Sequence, residues 1–283
     1  MKRSFLYLTG ILLLSLFGTM AEAQSYRVSY IFHKKGSTGK YIALKDMNLE
    51  YDSDKSIYYC ERAFLKDSLR KLAFDESDQI KDQGAYESLN GIRGGTSDMT
   101  ILDFTHSMAT QYYIDGNSYL AGEIPLEMPA WTITKDTVSF KGYLGRKATA
   151  TYLGREWLIL YTDEIPLQIG PWMLWGAPGL ILYAKDVEKN FVFEFVGITT
   201  MDHTDRWPLM MDRHINPGGN GTFYSGNLKT VEKLHTKYKT DSDYFSQNLG
   251  GILTMTDKGG MPVQWTLPPY TPLIPIDYWK KDN

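Results

Sequence analysis

The stretch from Gly154 to Asp186, GREWLILYTDEIPLQIGPWMLWGAPGLILYAKD, decides how this chain is read. Two strand-like runs, Trp157 to Thr162 and Leu180 to Lys185, flank a connection that carries Ile165-Pro166, Gly170-Pro171, Pro178-Gly179 and two tryptophans, Trp172 and Trp175. Gly176 and Gly179 have access to backbone angles closed to other residues, while Pro171 and Pro178 fix theirs and remove donors. The connection is therefore expected to be rigid and sharply turned. It leads into Leu180-Ile181-Leu182-Tyr183, apolar enough for a strand buried on both faces. The tryptophans either cap the sheet's core or line the mouth of a cavity, and capping is the more common use of such rings.

Outward from this segment, alternation dominates. Tyr26, Val28, Tyr30 and Phe32 share one face of an opening strand, with Arg27, Ser29 and Ile31 on the other. Comparable runs lie at Met47 to Tyr51, Met99 to Phe104, Gln111 to Asp115, Tyr119 to Glu123, Val138 to Tyr143, Lys147 to Leu153 and Phe191 to Met201. Asp115-Gly116-Asn117 reads as a tight hairpin. Two segments carry helical spacing instead: Arg62 to Ser77, through Phe64, Leu65, Leu69, Leu72 and Ala73, and Leu228 to Asp241, through Leu228, Val231 and Leu234. This pattern predicts an α+β, mostly β fold: a curved antiparallel sheet forming a half-open barrel of the lipoprotein-carrier type, with a few helices laid against it. No internal repeat or Pro/Ser-rich linker divides residues 24–283, which read as a single mainly-β domain.

Residues 1–23 have the parts of a secretory signal: Lys2 and Arg3, an apolar run from Phe5 to Phe17, and Ala21-Glu22-Ala23 for cleavage after Ala23. The apolar run is short for a membrane span. The expectation is a periplasmic or secreted protein, not an integral membrane one. Without Lys2, Arg3 and Glu22 the chain keeps 28 basic and 32 acidic residues, a net charge of −4, which argues against a nucleic-acid partner. The single cysteine, Cys60, cannot form an intramolecular disulfide, so about 260 residues must hold together by core burial. Cys60 itself reads as a buried apolar residue.

Gly176-Ala177-Pro178-Gly179-Leu180-Ile181 resembles the motif that names the GLPGLI family, exported proteins of Bacteroidota. The upstream GYLGRKATATYLGREW and the following YTDEIPLQIGPW resemble the family's pattern too, so the likeness covers roughly Trp131 to Gly197. Ala177 stands where the family usually has leucine, and Gly145 where many relatives carry cysteine. The resemblance implies a compartment and a site but no reaction, since the family has no established activity.

Candidate sites are few. Arg155, Asp163, Ile165, Pro166, Gly170, Pro171, Trp172, Trp175, Gly176, Pro178 and Gly179 form the predicted binding site around the connection, with Arg155 paired to Asp163 or Glu164. Asp163 and Glu164 are adjacent and face opposite ways on a strand, so they make a poor acid/base dyad. Met201, His203, Met210, Met211 and His214 are weak metal candidates of a kind that suits copper(I), with spacing that matches no defined site. Gly218, Gly219 and Gly221 lack the Lys-Ser/Thr of a phosphate loop. No serine-hydrolase motif is present, and no cofactor is expected. The reading is a non-enzymatic binding or carrier protein whose partner is an apolar or lipid-like ligand, a peptide or an envelope protein. Two alternatives remain: an exported hydrolase or metal-binding protein using Asp163, Glu164, Asp202 or His203, and an envelope assembly factor.

Overall fold

Strand β1 (Ser25–Lys35) buries Val28, Tyr30 and Phe32 on one side, as its alternation predicts. The computed structural model describes residues 24–36, 38–75, 77, 79–115, 118–202, 222–248, 267 and 269–280. The expected export signal at residues 1–23, Gly116-Asn117, the glycines at 218–221 and the candidate ligands His203, Met210, Met211 and His214 lie outside the described residues.

From β1 the chain runs through β2 (Tyr41–Tyr51), β3 (Lys55–Cys60), α1 (Glu61–Ala73), α2 (Gln83–Gly91), β4 (Met99–Asp103), β5 (Met108–Asp115) and β6 (Ser118–Pro125). It continues through β7 (Thr132–Phe140), β8 (Tyr143–Tyr152), β9 (Arg155–Thr162), β10 (Leu180–Asp186), β11 (Phe191–Met201) and β12 (Thr222–Asn227). The helices α3 (Leu228–Thr240) and α4 (Ser242–Asn248) follow, and then a 3-10 turn, Ile276–Lys280. The twelve described strands form one curved, unclosed sheet in the order β12-β6-β5-β4-β3-β2-β1-β11-β10-β9-β8-β7. Strand makes up 48% and helix 21%, so the mostly-β, α+β expectation holds. One pairing departs from it: β12 runs parallel to β6, and β7 to β11 separate the two strands in sequence, so no hairpin joins them.

Period-two side chains give the sheet two faces with different coverings. On the inner face, Tyr58, Leu102 and Ala109 join Tyr30, Phe193 and Trp157 in one core that spans β5 to β8. On the outer face, Ile57, Tyr59, Met99, Ile101 and Tyr112 make a second cluster under Phe64 of α1. Helix α3 lies on the inner face of β5 and β6, where Val231 meets Tyr113 and Leu120. That approach is close because position 122 has no side chain: a Cβ there would stand 2.7 Å from Leu228 Cδ1 and 2.9 Å from Val231 Cβ. Strand β5 pairs with β6 with Asp115 opposite Ser118, the register a two-residue turn requires. Cys60 is buried, and burial pushes its thiol above the ordinary value.

Candidate functional site

The connection between β9 and β10 fills the hollow of the sheet. Its backbone is folded back on itself, with Gly176 N donating to Gln168 O at 2.9 Å, Leu180 N to Ile165 O at 3.0 Å and Ile181 N to Ile169 O at 3.1 Å. Gly170 lets two legs of the loop touch, since a Cβ there would sit 2.7 Å from both Ile181 Cδ1 and Leu174 O. The Tyr30 hydroxyl donates to Ile181 O at 2.8 Å and ties the loop to the central strand. Trp172 is 2% exposed, adopts a positive φ of 56° and packs its ring 5.7 Å from that of Trp157. Trp175 is half-buried: its ring stands 5.3 Å from Phe104, and its carbonyl accepts the Trp131 indole N–H at 2.8 Å. Of the two uses open to the tryptophans, Trp172 is core. The cavities of about 150, 210 and 300 Å³ bounded by described residues are lined by other parts of the chain.

The charged residues around the connection do not converge. Asp163 pairs with Arg146 at 2.8 Å, and Glu164 accepts the Leu144 N–H at 2.7 Å. Arg155 does not pair with either, which corrects the expected ion pair. It reaches along the β9–β10 hairpin to Asp186 at 3.0 Å and, at the exposed side, to Glu188 at 3.3 Å. It also donates to Leu273 O and Pro272 O, both at 2.7 Å, and lies over the Phe191 ring. Arg155 thus anchors the C-terminal segment to the sheet. Met201 ends β11, and no group of three or more His, Cys, Asp or Glu side chains among the described residues is placed to hold a metal ion.

Polar side chains converge elsewhere, where α3 crosses β5. Because Tyr113 and Asp115 share the inner face of β5, they meet Glu232 and His235, which are one turn apart on α3. His235 Nδ1 lies 2.7 Å from Asp115 Oδ2 with both groups buried, and Lys239 Nζ stands 3.2 Å from the other carboxylate oxygen. The Tyr113 ring stacks on the imidazole at 3.7 Å, and its hydroxyl donates to Glu232 Oε1. Burial, with Glu232 beside it, holds the Tyr113 phenol well above its usual range.

A cavity of about 150 Å³ opens beside this cluster on the inner face. Ile42, Lys34 and Phe191 form one cross-strand row over β2, β1 and β11, and Phe32 and Leu44 form the next. Asp98, Tyr113, Tyr270 and Leu273 close the other sides. Burial depresses the Lys34 ammonium below its ordinary value, against the favourable charge of Asp98. Sequence reasoning missed this site. Its members come from β1, β2, β5, β11 and two connecting segments, and no local pattern in the sequence joins them.

Glu232 offers a measurable consequence. Burial, opposed by the Tyr113 hydroxyl and by His235, raises its carboxyl from 4.5 to about 7, and its Oε2 has no hydrogen-bond partner among the described residues. Between those two values the unfolded chain has released the proton and the folded one has not, so stability falls as pH rises through this window. It is lost at up to about 1.4 kcal/mol per pH unit. Replacing Glu232 by Gln is expected to flatten that slope in urea unfolding measured from pH 4.5 to 7. Parallel profiles for the two proteins would show that the carboxyl ionises normally.

No protein-family model matches the chain, and no curated protein does. Among solved structures, PNGF-II in a P21 crystal form superposes with a TM-score of 0.50 at 15% identity, over 77% of this chain and 34% of PNGF-II. The C2 form of the same protein gives 0.48 at the same identity and coverage. The chain spans about a third of the length of PNGF-II. The likeness is one of fold.

Proposed function

We propose that this chain is an exported, non-enzymatic binding protein of the GLPGLI type, which takes a small ligand at the inner-face recess between Lys34 and Asp98. The observation that carries this reading is a half-enclosed cavity, apolar along Phe32, Leu44 and Phe191, that holds an amine and a carboxylate without an ion pair between them. Burial penalises the Lys34 ammonium, and a desolvated charge without a partner is costly unless something pairs with it. The recess is too small for a lipid chain, and the β9–β10 connection fills the hollow around Trp157 and Trp172. This favours a compact ligand over the apolar carrier cargo. The export reading rests on residues 1–23. No helix among the described residues is long and apolar enough to cross a membrane.

The test is native mass spectrometry of the protein isolated from its own envelope, beside a Leu44→Trp variant that fills the recess. A small-molecule adduct on the parent that the variant lacks is the expected result. An adduct retained by the filled variant would move the site elsewhere and overturn the reading.

A hydrolase reading draws on one observation, the buried His235–Asp115 pair next to a carboxyl raised to about 7. It lacks a nucleophile: His235 hydrogen-bonds no serine, threonine or cysteine among the described residues, and it is 1% exposed. A pair so placed serves to satisfy charge under α3.

A further inference from the structure

The recess has two chemically different ends joined by an apolar wall. Lys34 projects from the middle of the row Ile42, Lys34, Phe191, so its stem is wrapped by apolar neighbours while its Nζ stands 4.4 Å from the Tyr270 ring centroid. No carboxylate among the described residues lies within ion-pair distance of it. Asp98, from the segment that leads into β4, lines the same cavity, and its backbone N–H donates to Thr96 Oγ1 at 3.2 Å. The gap between the amine and the acid is what a ligand carrying both opposite charges would span.

The geometry points to a free α-amino acid with a small apolar side chain as the ligand class, its carboxylate toward Lys34, its ammonium toward Asp98 and its side chain against Phe32, Leu44 and Phe191. This inference rests on the proposed binding role of the same recess and specifies its chemistry. Three features select it. A cavity of about 150 Å³ suits a body of roughly benzene size, which a leucine or valine side chain matches and an acyl chain exceeds. The cation and the anion are each half-enclosed, where a charge-assisted hydrogen bond is stronger than in water. A ligand with one charge would leave the opposite protein group desolvated and unmatched, which is how a polar site rejects an incomplete analogue. Tyr270, on the segment that Arg155 anchors, forms one side of the cavity, so Arg155 is a positioning residue for this wall.

The experiment is a calorimetric titration of the full mature protein with four probes: leucine, leucinamide, N-acetyl-leucine and 3-methylbutan-1-ol. The same probes are applied to Lys34→Met and Asp98→Asn. Leucine is expected to bind the parent at least about tenfold more tightly than either blocked form, as expected when a charged group loses its partner. Lys34→Met should bring leucine and leucinamide to the same affinity, and Asp98→Asn should do so for leucine and N-acetyl-leucine, because each variant removes the group that reads that end. Thermal unfolding of both variants close to the parent's would show that the differences come from the site. Equal binding of leucine and its blocked forms, or binding of the alcohol alone, would overturn the zwitterion inference and leave a ligand recess standing. Binding by none of the four, together with an envelope adduct abolished by Leu44→Trp, would assign the recess to another ligand class. Binding by none of the four without any such adduct would sink both readings.

Discussion

Gly179→Ala is expected to abolish folding or to cost at least about 4 kcal/mol, at the extreme of single-substitution effects. Gly179 has a φ of +152°, and a Cβ built there would lie 1.9 Å from Thr162 O and 2.7 Å from Thr162 C. Both atoms are backbone and belong to the first rung of the β9–β10 ladder, where Thr162 pairs with Leu180. Relief requires moving a strand end, and with it Leu180 and Ile181, which are fully buried. The comparison with two other glycines makes this a test of mechanism. At Gly176, φ +77°, an added Cβ would meet only Met128 Cγ and Sδ, the outer atoms of an exposed and flexible side chain. Gly176→Ala should therefore lose only the roughly 1–2 kcal/mol of left-handed backbone strain. Gly197 has nothing within 4 Å of its built Cβ, and alanine there should be close to neutral. Urea unfolding of the three variants should reproduce the order Gly197, Gly176, Gly179. A Gly179→Ala protein within about 1 kcal/mol of the parent would mean that the turn has slack the geometry does not reveal.

The same residues show how far local sequence carries. Alternation or a short apolar run located β1, β4, β5, β6 and β9 to β11, and the 3.6-residue period located α1 and α3. The Pro and Gly steps around Trp172 correctly announced a rigid connection. They could not announce that it packs into the hollow, since rim and core rings have the same composition. Lys55–Cys60 was missed as a strand because Ile57-Tyr58-Tyr59-Cys60 shows no alternation and runs straight into α1. Gln83–Gly91 was missed as a helix because it buries no residue and so leaves no stripe to read. The Asp115, His235 and Glu232 cluster was illegible for another reason. Polar residues on a helix are by default solvated, and only the pairing of Tyr113 and Asp115 with α3 turns that face inward. The expected partners of Arg155, Asp163 or Glu164, rest on sequence proximity alone. The hairpin register instead sets Asp186 opposite Trp157, two residues from Arg155 on the same strand.

That register leads to the second large effect. Arg155→Met is expected to lower stability by about 3–5 kcal/mol, the range for removing one partner of a buried ion pair. Asp186 is 1% exposed and would keep only the Phe191 N–H, 2.8 Å from its Oδ1, as compensation. Pro272 O and Leu273 O would lose their donors as well. Glu188 adds little, because its carboxylate is largely in solvent. Arg155→Lys should recover only part of the loss. A lysine presents a single charged point, whereas the guanidinium addresses the acid and two carbonyls in one plane. Arg155→Met combined with Asp186→Asn should be less unstable than Arg155→Met alone, since the stranded charge is gone. Hydrogen exchange separates the two roles of the arginine. If it anchors the chain end, peptides covering 269–280 should exchange faster in the Arg155→Met protein at denaturant concentrations where β9 to β11 remain protected. Uniform loss of protection would assign the whole effect to the buried charge. A stability unchanged within about 1 kcal/mol would remove the anchor, and with it the fixed wall that Tyr270 and Leu273 give to the recess.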